Sequence, residues 1–284
     1  MITVPYNLPT AEDLPDGDET PVDNELQNDI PNILLNILKW IWNSREDWFW
    51  GVDMCIYYEP NIEEPIKSKS IVPDGFLALG VERLKNEGGR LSYVLWQEQV
   101  LPILVLEVVS HKYNGEYDDK LQEYQNLGIL YYVIYNPLSG RRGLYKKHQS
   151  LEVYKLIDRK YELIPAISKL AENGKMFWMP EVGLGIGCER GNSGKWEREW
   201  VYWYDRSGVR YPTAEERATS AEERATSAEE RAKSAEERAE LERTAKEQAE
   251  IAVREASRIA LQERQEKEKL AAYLKSLNIN PDEI

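Results

Sequence analysis

A seven-residue unit near the C-terminal end restricts the fold more than any other feature. AEERATS at 214–220 returns as AEERATS at 221–227, AEERAKS at 228–234 and AEERAEL at 235–241. Its alanines, at 214, 218, 221, 225, 228, 232, 235 and 239, alternate in steps of 4 and 3, which is a heptad seam. With Ala214 at d and Ala218 at a, Glu215 falls at e and Arg217 at g, so Arg217 can meet Glu222 of a parallel partner. Past Leu241 the seam shifts phase through Ala245, Ala252 and Ile259 to Leu270, Leu274 and Leu277. A continuous helix over 214–277 would be roughly 95 Å long at ~1.5 Å per residue. Alanine buries little area, so a solvated single helix and a self-associating coil both remain open. The chemistry must lie elsewhere. All 9 Trp of the 284 residues fall between Trp40 and Trp203, and a stretch of about 213 residues suits one domain with its own core.

Within that front part, residues 5–23 are rich in Pro, Asp and Glu and read as an extended lead-in. Pro31 is placed to start a helix whose Ile33, Leu34, Ile37, Leu38 and Ile41 share one face. Strands are expected at GVDMCIYYE (51–59), IVPDGFLAL (71–79), LSYVLW (91–96) and ILVLEVVS (103–110). The last is nearly all apolar, as a strand covered on both faces should be. EYDDKLQEYQNLG (116–128) reads as a helix ended by Gly128, and YYVIYNP (131–137) as a strand. GLYKKH, LEVYKLI and the run around Tyr161 are further strand candidates, and WMPEVGLGIG (178–187) reads as an ordered loop. Strands, then a helix, then a strand able to lie parallel to the one before: the pattern is an α/β sandwich. The expected organisation is a lead-in at 1–23, a folded domain at 24–212 and a heptad-repeat helix at 213–284.

Charge and rare residues remove whole classes of function. The net charge is −14, with acids in excess both before and after Ala214, so no fold-wide basic surface grips nucleic acid. Contact with a phosphate backbone needs a local patch or bound cations. Two cysteines exclude a disulfide scaffold and a Cys-rich zinc site, and two histidines exclude a multi-histidine metal site. MITVPYNLPTAEDLPDGDE has neither the basic nor the apolar region of a signal peptide, and no stretch approaches 18 apolar residues. A cytoplasmic chain without membrane contact is the expectation.

Two acids stand out against their surroundings. Asp74 sits in IVPDGFLAL and Glu107 in ILVLEVVS. A carboxylate in an apolar strand is costly unless a metal or cation compensates it. Two at adjacent strand ends make an oxygen-ligand site suited to Mg²⁺ or Mn²⁺, and Lys120 on the next helix can add positive charge. The competing reading is structural, since a lone acid in a strand is most often paired or at an edge.

PDGFLALG, RLSYVLWQE, PILVLEVVS and DDKLQEYQNLGILYYVIYNP together resemble the Uma family of restriction-endonuclease-like proteins, a branch of the PD-(D/E)XK nuclease superfamily. The resemblance runs from about residue 24 to 212, and LPTAEDLP, WMPEVGLGIG and the Ala/Glu/Arg-rich tail are similar to segments this family commonly appends. It implies a mixed β-sheet core flanked by helices and a metal-dependent endonuclease acting on nucleic acid, with DNA the expected substrate, leaving 5′-phosphate and 3′-hydroxyl ends. Asp74 matches the first acid and Glu107 the second. Val109 stands where the superfamily has lysine. The family's lysine is taken to have migrated to the following helix, and Lys120 matches that position. The resemblance also implies the carbonyl of Val108 as a metal ligand.

Other residues carry weaker expectations. Glu25 matches an occasional extra acid but reads more simply as solvated charge. Ser110 reads as a strand-end hydrogen bonder, and Ser110 with His111 is no hydrolase pair, because adjacent strand residues face opposite ways. Tyr124 can orient Lys120 or merely pack. Glu116 and Asp119 can neighbour Lys120 or serve the helix start. Trp196, Trp200 and Trp203 can stack bases, although such clusters are mostly core. The rival to an enzyme is a catalytically silent nuclease fold that binds or assembles, displayed on an oligomerising tail. A purely structural coiled coil does not explain the Trp-rich, strand-rich front.

Overall fold

The computed structural model describes residues 8–15, 24–85, 87–141, 143–167 and 175–276. Most of the expected lead-in lies outside the described residues. Its described piece is docked, with Leu14 buried beside Cys55, Tyr57 and Val94 and the carbonyl of Pro15 accepting from Tyr57 Oη and Ser92 Oγ.

A six-stranded mixed sheet forms the centre, in the order β1 (Trp48–Val52), β4 (Gly75–Leu79), β6 (Leu104–Val108), β7 (Tyr131–Tyr135), β8 (Leu151–Ile157), β9 (Lys160–Leu163). Only β6 and β7 run parallel in it, joined through helix α3 (Asp119–Leu127). Every residue of β6 is buried, as its unbroken apolar run predicts. Its side chains alternate: Leu104, Leu106 and Val108 pack with helix α1 (Leu26–Ile41) and the second sheet, while Val105 and Val109 pack on the α3 side. The second sheet is an antiparallel meander of β10 (Lys175–Met179), β11 (Leu184–Ser193) and β12 (Trp196–Tyr204). A third, small sheet joins β3 (Lys69–Ile71), β2 (Ile56–Glu59) and β5 (Tyr93–Val94). Its Ile56, Ile71 and Tyr93 cover the α3 side of the core.

Several expected elements differ in detail. Helix α1 starts at Leu26 and carries Pro31 inside it. Asn24 Oδ1 accepts from the Leu26 N–H while Gln27 Oε1 accepts from the Asn24 N–H. That reciprocal cap fixes the start ahead of the proline, and buried Leu26 and Ile30 extend the apolar face. The run 51–59 is divided between β1 and β2, because Asp53 takes a left-handed backbone (φ 46°) and turns the chain into another sheet. The run 71–79 is likewise divided between β3 and β4 at Pro73 and Asp74, and 91–96 ends in a short helix α2 (Leu95–Glu98). GLYKKH forms a 3-10 turn (Gly143–Lys147) instead of a strand; the Tyr145 hydroxyl is tied there to the carbonyls of Ser110 and His111. The loop expected at 178–187 is the end of β10, a turn and the start of β11. Gly128 ends α3 in the left-handed conformation (φ 87°), as expected of a C′ glycine.

The chain divides into two compact units, 1–217 and 218–284. The second consists of most of helix α4 (Ala214–Ser276), which buries none of its side chains. Among the described residues no helix is long and apolar enough to cross a membrane.

Candidate active site

Asp74 precedes β4, and the antiparallel register of Gly75 with Leu106 sets it beside the end of β6. There Asp74 Oδ2 accepts a hydrogen bond from the Val108 N–H at 2.6 Å. A strand residue's N–H and C=O leave by the same edge, so the Val108 carbonyl is directed to the Asp74 edge as well. Glu107 points the other way from Val108, toward α3. Its Oε2 lies 2.8 Å from Lys120 Nζ and its Oε1 accepts from the Tyr124 hydroxyl at 2.7 Å. Lys120 and Tyr124 are four apart on α3 and so share one face. The small side of Val109, on the Glu107 side of the strand, leaves room for this approach from the helix.

Burial decides the electrostatics. The side chain of Glu107 is only 2% exposed and that of Lys120 18%. Burial, then the Glu107 charge, pushes Asp74 well above the usual carboxylate range, against the pull of the Val108 N–H and Lys120. Burial also raises Glu107, although Lys120 and Tyr124 oppose it. For Lys120 burial alone would lower the pKa; the charge and hydrogen bond of Glu107, followed by the charges of Asp74 and Glu116, outweigh it and keep the ammonium protonated. Burial and Glu107 hold the Tyr124 hydroxyl far above its ordinary value, so it remains a donor.

One lysine thus faces more than one buried carboxylate, an imbalance that a divalent cation would offset. Among the described residues no three Asp, Glu, His or Cys side chains gather into a metal cage. Two carboxylates and a backbone carbonyl would suit an oxygen-ligated ion such as Mg²⁺ that keeps waters of its own, better than a metal needing an all-protein shell.

The remaining expected residues fall as follows. Glu116 is buried just before α3, its Oε2 accepting from the Asn114 N–H and its charge acting on Lys120. Asp119 and His111 are exposed. Ser110 donates to the Lys112 carbonyl at 2.7 Å, closing the turn after β6. Trp200 and Trp203 are core, whereas Trp196 is exposed. Sequence reasoning missed Asp53, whose N–H reaches the Asp74 carbonyl and whose charge acts on Asp74. Its signal would have been the left-handed turn, which a non-glycine residue does not advertise.

A cleft of about 840 Å³ opens beside the ends of β6 and β7. Val109, Ser110, Glu25, Arg190, Trp196 and Arg198 are among the residues that line it, with Glu197 and Glu199 beside the arginines. Asp74, Glu107 and Lys120 are not among its lining residues. The Arg198 guanidinium sits 4.8 Å from the Trp196 ring centre and 5.5 Å from that of Trp200, and it donates to Tyr135 Oη at 3.2 Å. No carboxylate pairs with it among the described residues, which leaves donors for an anion.

A mixed sheet with an acid before one strand, a buried glutamate on the next and a lysine from the crossover helix has the restriction-endonuclease-like architecture. The chain belongs to the Uma2 family, described as "Putative restriction endonuclease", whose model matches residues 16–187. That description points to nuclease function, and nucleic acid is the substrate it implies. No curated protein and no solved structure matches the chain. Arg190, Trp196, Arg198 and the long helix lie beyond the matched residues.

Proposed function

We propose that the protein is a Mg²⁺- or Mn²⁺-dependent endonuclease that hydrolyses DNA phosphodiester bonds, with Asp74 and Glu107 as metal-binding carboxylates and Val108 as a carbonyl ligand. The observation carrying this reading is the convergence of Asp74, Glu107 and Lys120 at the buried end of β6. A divalent cation bound there would polarise the scissile phosphate and lower the pKa of an attacking water. Lys120 holds its proton and places positive charge where the phosphate gains negative charge. Tyr124 fixes the carboxylate plane of Glu107. The cleft, which reaches Val109 and Ser110 just past Glu107, takes the flanking nucleic acid, with Arg198 on a phosphate and Trp196 against a base. These contacts are local, which reconciles nucleic-acid binding with a net charge of −14.

One observation favours a second reading, a silent nuclease fold used for binding or assembly. Both Glu107 oxygens already have protein partners, as a purely structural network would require. Plasmid cleavage separates the two. Wild type should nick DNA only with Mg²⁺ or Mn²⁺, and Glu107→Ala should not. Equal background in both proteins at low salt would leave the binding reading. The reading places the enzyme in the cytoplasm, where DNA and millimolar Mg²⁺ meet.

A further inference from the structure

The arginines of the first three repeats, Arg217, Arg224 and Arg231, find no glutamate three or four residues away on their own helix. Ion pairs along one α-helix need separations of three or four residues. Arg217, Arg224 and Arg231 each stand five and six residues before the next glutamates and one and two after the preceding ones, whereas Lys233 stands four after Glu229 and Arg238 four before Glu242. Among the described residues no ion pair forms between residues 220 and 241 of α4, whereas Glu242–Lys246 and Arg264–Glu268 pair at four-residue spacing further on. Arginines without such pairs add nothing to the stability of a lone helix. The alanine stripe by itself would carry no conclusion; the charges do.

We infer that residues 221–241 pair with the same segment of a second copy of this chain, parallel and in register. A separation of five residues, from position g to the following e, joins two parallel helices. Arg224 then meets Glu229 and Arg231 meets Glu236 of the other copy, twice over by symmetry. Antiparallel pairing sets g against g and e against e. That would oppose arginines 224, 231 and 238 to one another and glutamates 222, 229 and 236 to one another. Arg217 is not available for this use, because its guanidinium covers the Trp40 ring at 4.5 Å. The complementarity stops at Arg238, whose counterpart is Arg243, and there the single-helix pairs begin. Parallel pairing starts both helices at the same end, so two nuclease domains could serve the two strands of one duplex. That consequence rests on the nuclease reading; the pairing does not.

The test uses the full-length chain and reads mass, which does not depend on cleavage. Light scattering should give twice the 33.0 kDa chain mass at micromolar concentration. Arg224→Glu with Arg231→Glu turns four attractive contacts repulsive and should weaken the dimer on the order of a hundredfold. Glu229→Arg with Glu236→Arg should do the same, and mixing the two variants should restore a dimer. Circular dichroism checks that each stays folded. Ala232→Cys should yield a disulfide-linked dimer under mild oxidation, since residue 232 faces itself only in the parallel register. A monomeric wild type overturns the inference. So does a dimer that ignores the charge changes, or one whose Ala232→Cys form does not cross-link.

Discussion

Replacing Lys120 by Met keeps most of the side-chain volume and removes the only cation hydrogen-bonded to Glu107 among the described residues. Breaking a buried pair by deleting one partner typically costs about 3–5 kcal/mol. A ceiling comes from the alternative open to Glu107, which is to take up a proton. Holding a glutamic acid neutral at pH 7, against an ordinary value near 4.3, costs about 3.7 kcal/mol. The same ceiling at pH 5.5 is only about 1.6 kcal/mol. In the variant the folded-state pKa of Glu107 is raised further, so stability is retained at low pH and lost as pH rises through that value. Urea unfolding followed by Trp fluorescence suits the measurement, because all 9 Trp precede the long helix. The expected loss is about 3 kcal/mol at pH 7 and about half that at pH 5.5. A loss below about 1 kcal/mol, equal at both pH values, would refute the claim that Glu107 is a buried charge held by Lys120.

Further outcomes follow from other contacts. Asp74→Asn keeps an acceptor for the Val108 N–H while removing a buried charge, so its thermal stability should stay within about 1 kcal/mol of wild type or rise while plasmid cleavage disappears. Glu98 is held below its ordinary value: burial opposes this, but hydrogen bonds from Arg90 and Lys85 prevail. A lowered carboxylate stabilises the fold above its unfolded pKa and ceases to do so as pH falls through the folded one, so Glu98→Gln should flatten the acid limb of a melting-temperature profile. A Cβ on Gly75 would meet the Trp50 ring at 2.9 Å and the Pro31 Cβ at 3.3 Å. Gly75→Ala should therefore cost about 1–3 kcal/mol, read by urea unfolding, and displace neighbouring Asp74 enough to slow cleavage. Arg198→Gln should weaken oligonucleotide binding by the Glu107→Ala protein and reduce the slope of log affinity against log salt by about 0.7–0.9.

The site acids were legible because an acid inside ILVLEVVS has no inexpensive place in a covered strand, whatever the fold. The strand itself, α3 and its glycine stop were legible for the related reason that burial and capping leave periodic marks. The partnership with Lys120 was reached through family resemblance; spacing could not show that α3 folds back over β6. The breaks at Asp53 and Asp74 stayed hidden, since β1 and β2 are apolar on both sides of the turn and nothing in GVDMC marks a left-handed aspartate. The cleft was invisible because it depends on the β11–β12 hairpin bringing Arg198 alongside Tyr135, two residues 63 apart in the chain.

The central claim is that Asp74 and Glu107 hold a divalent cation. Mn²⁺ titration of the full-length protein, followed by electron paramagnetic resonance of the free ion, tests it without requiring a substrate. The account predicts one tight site per chain in wild type that is lost in both Asp74→Asn and Glu107→Gln, above a weak background from surface acids that all three share. Binding that is the same in the three proteins would contradict it.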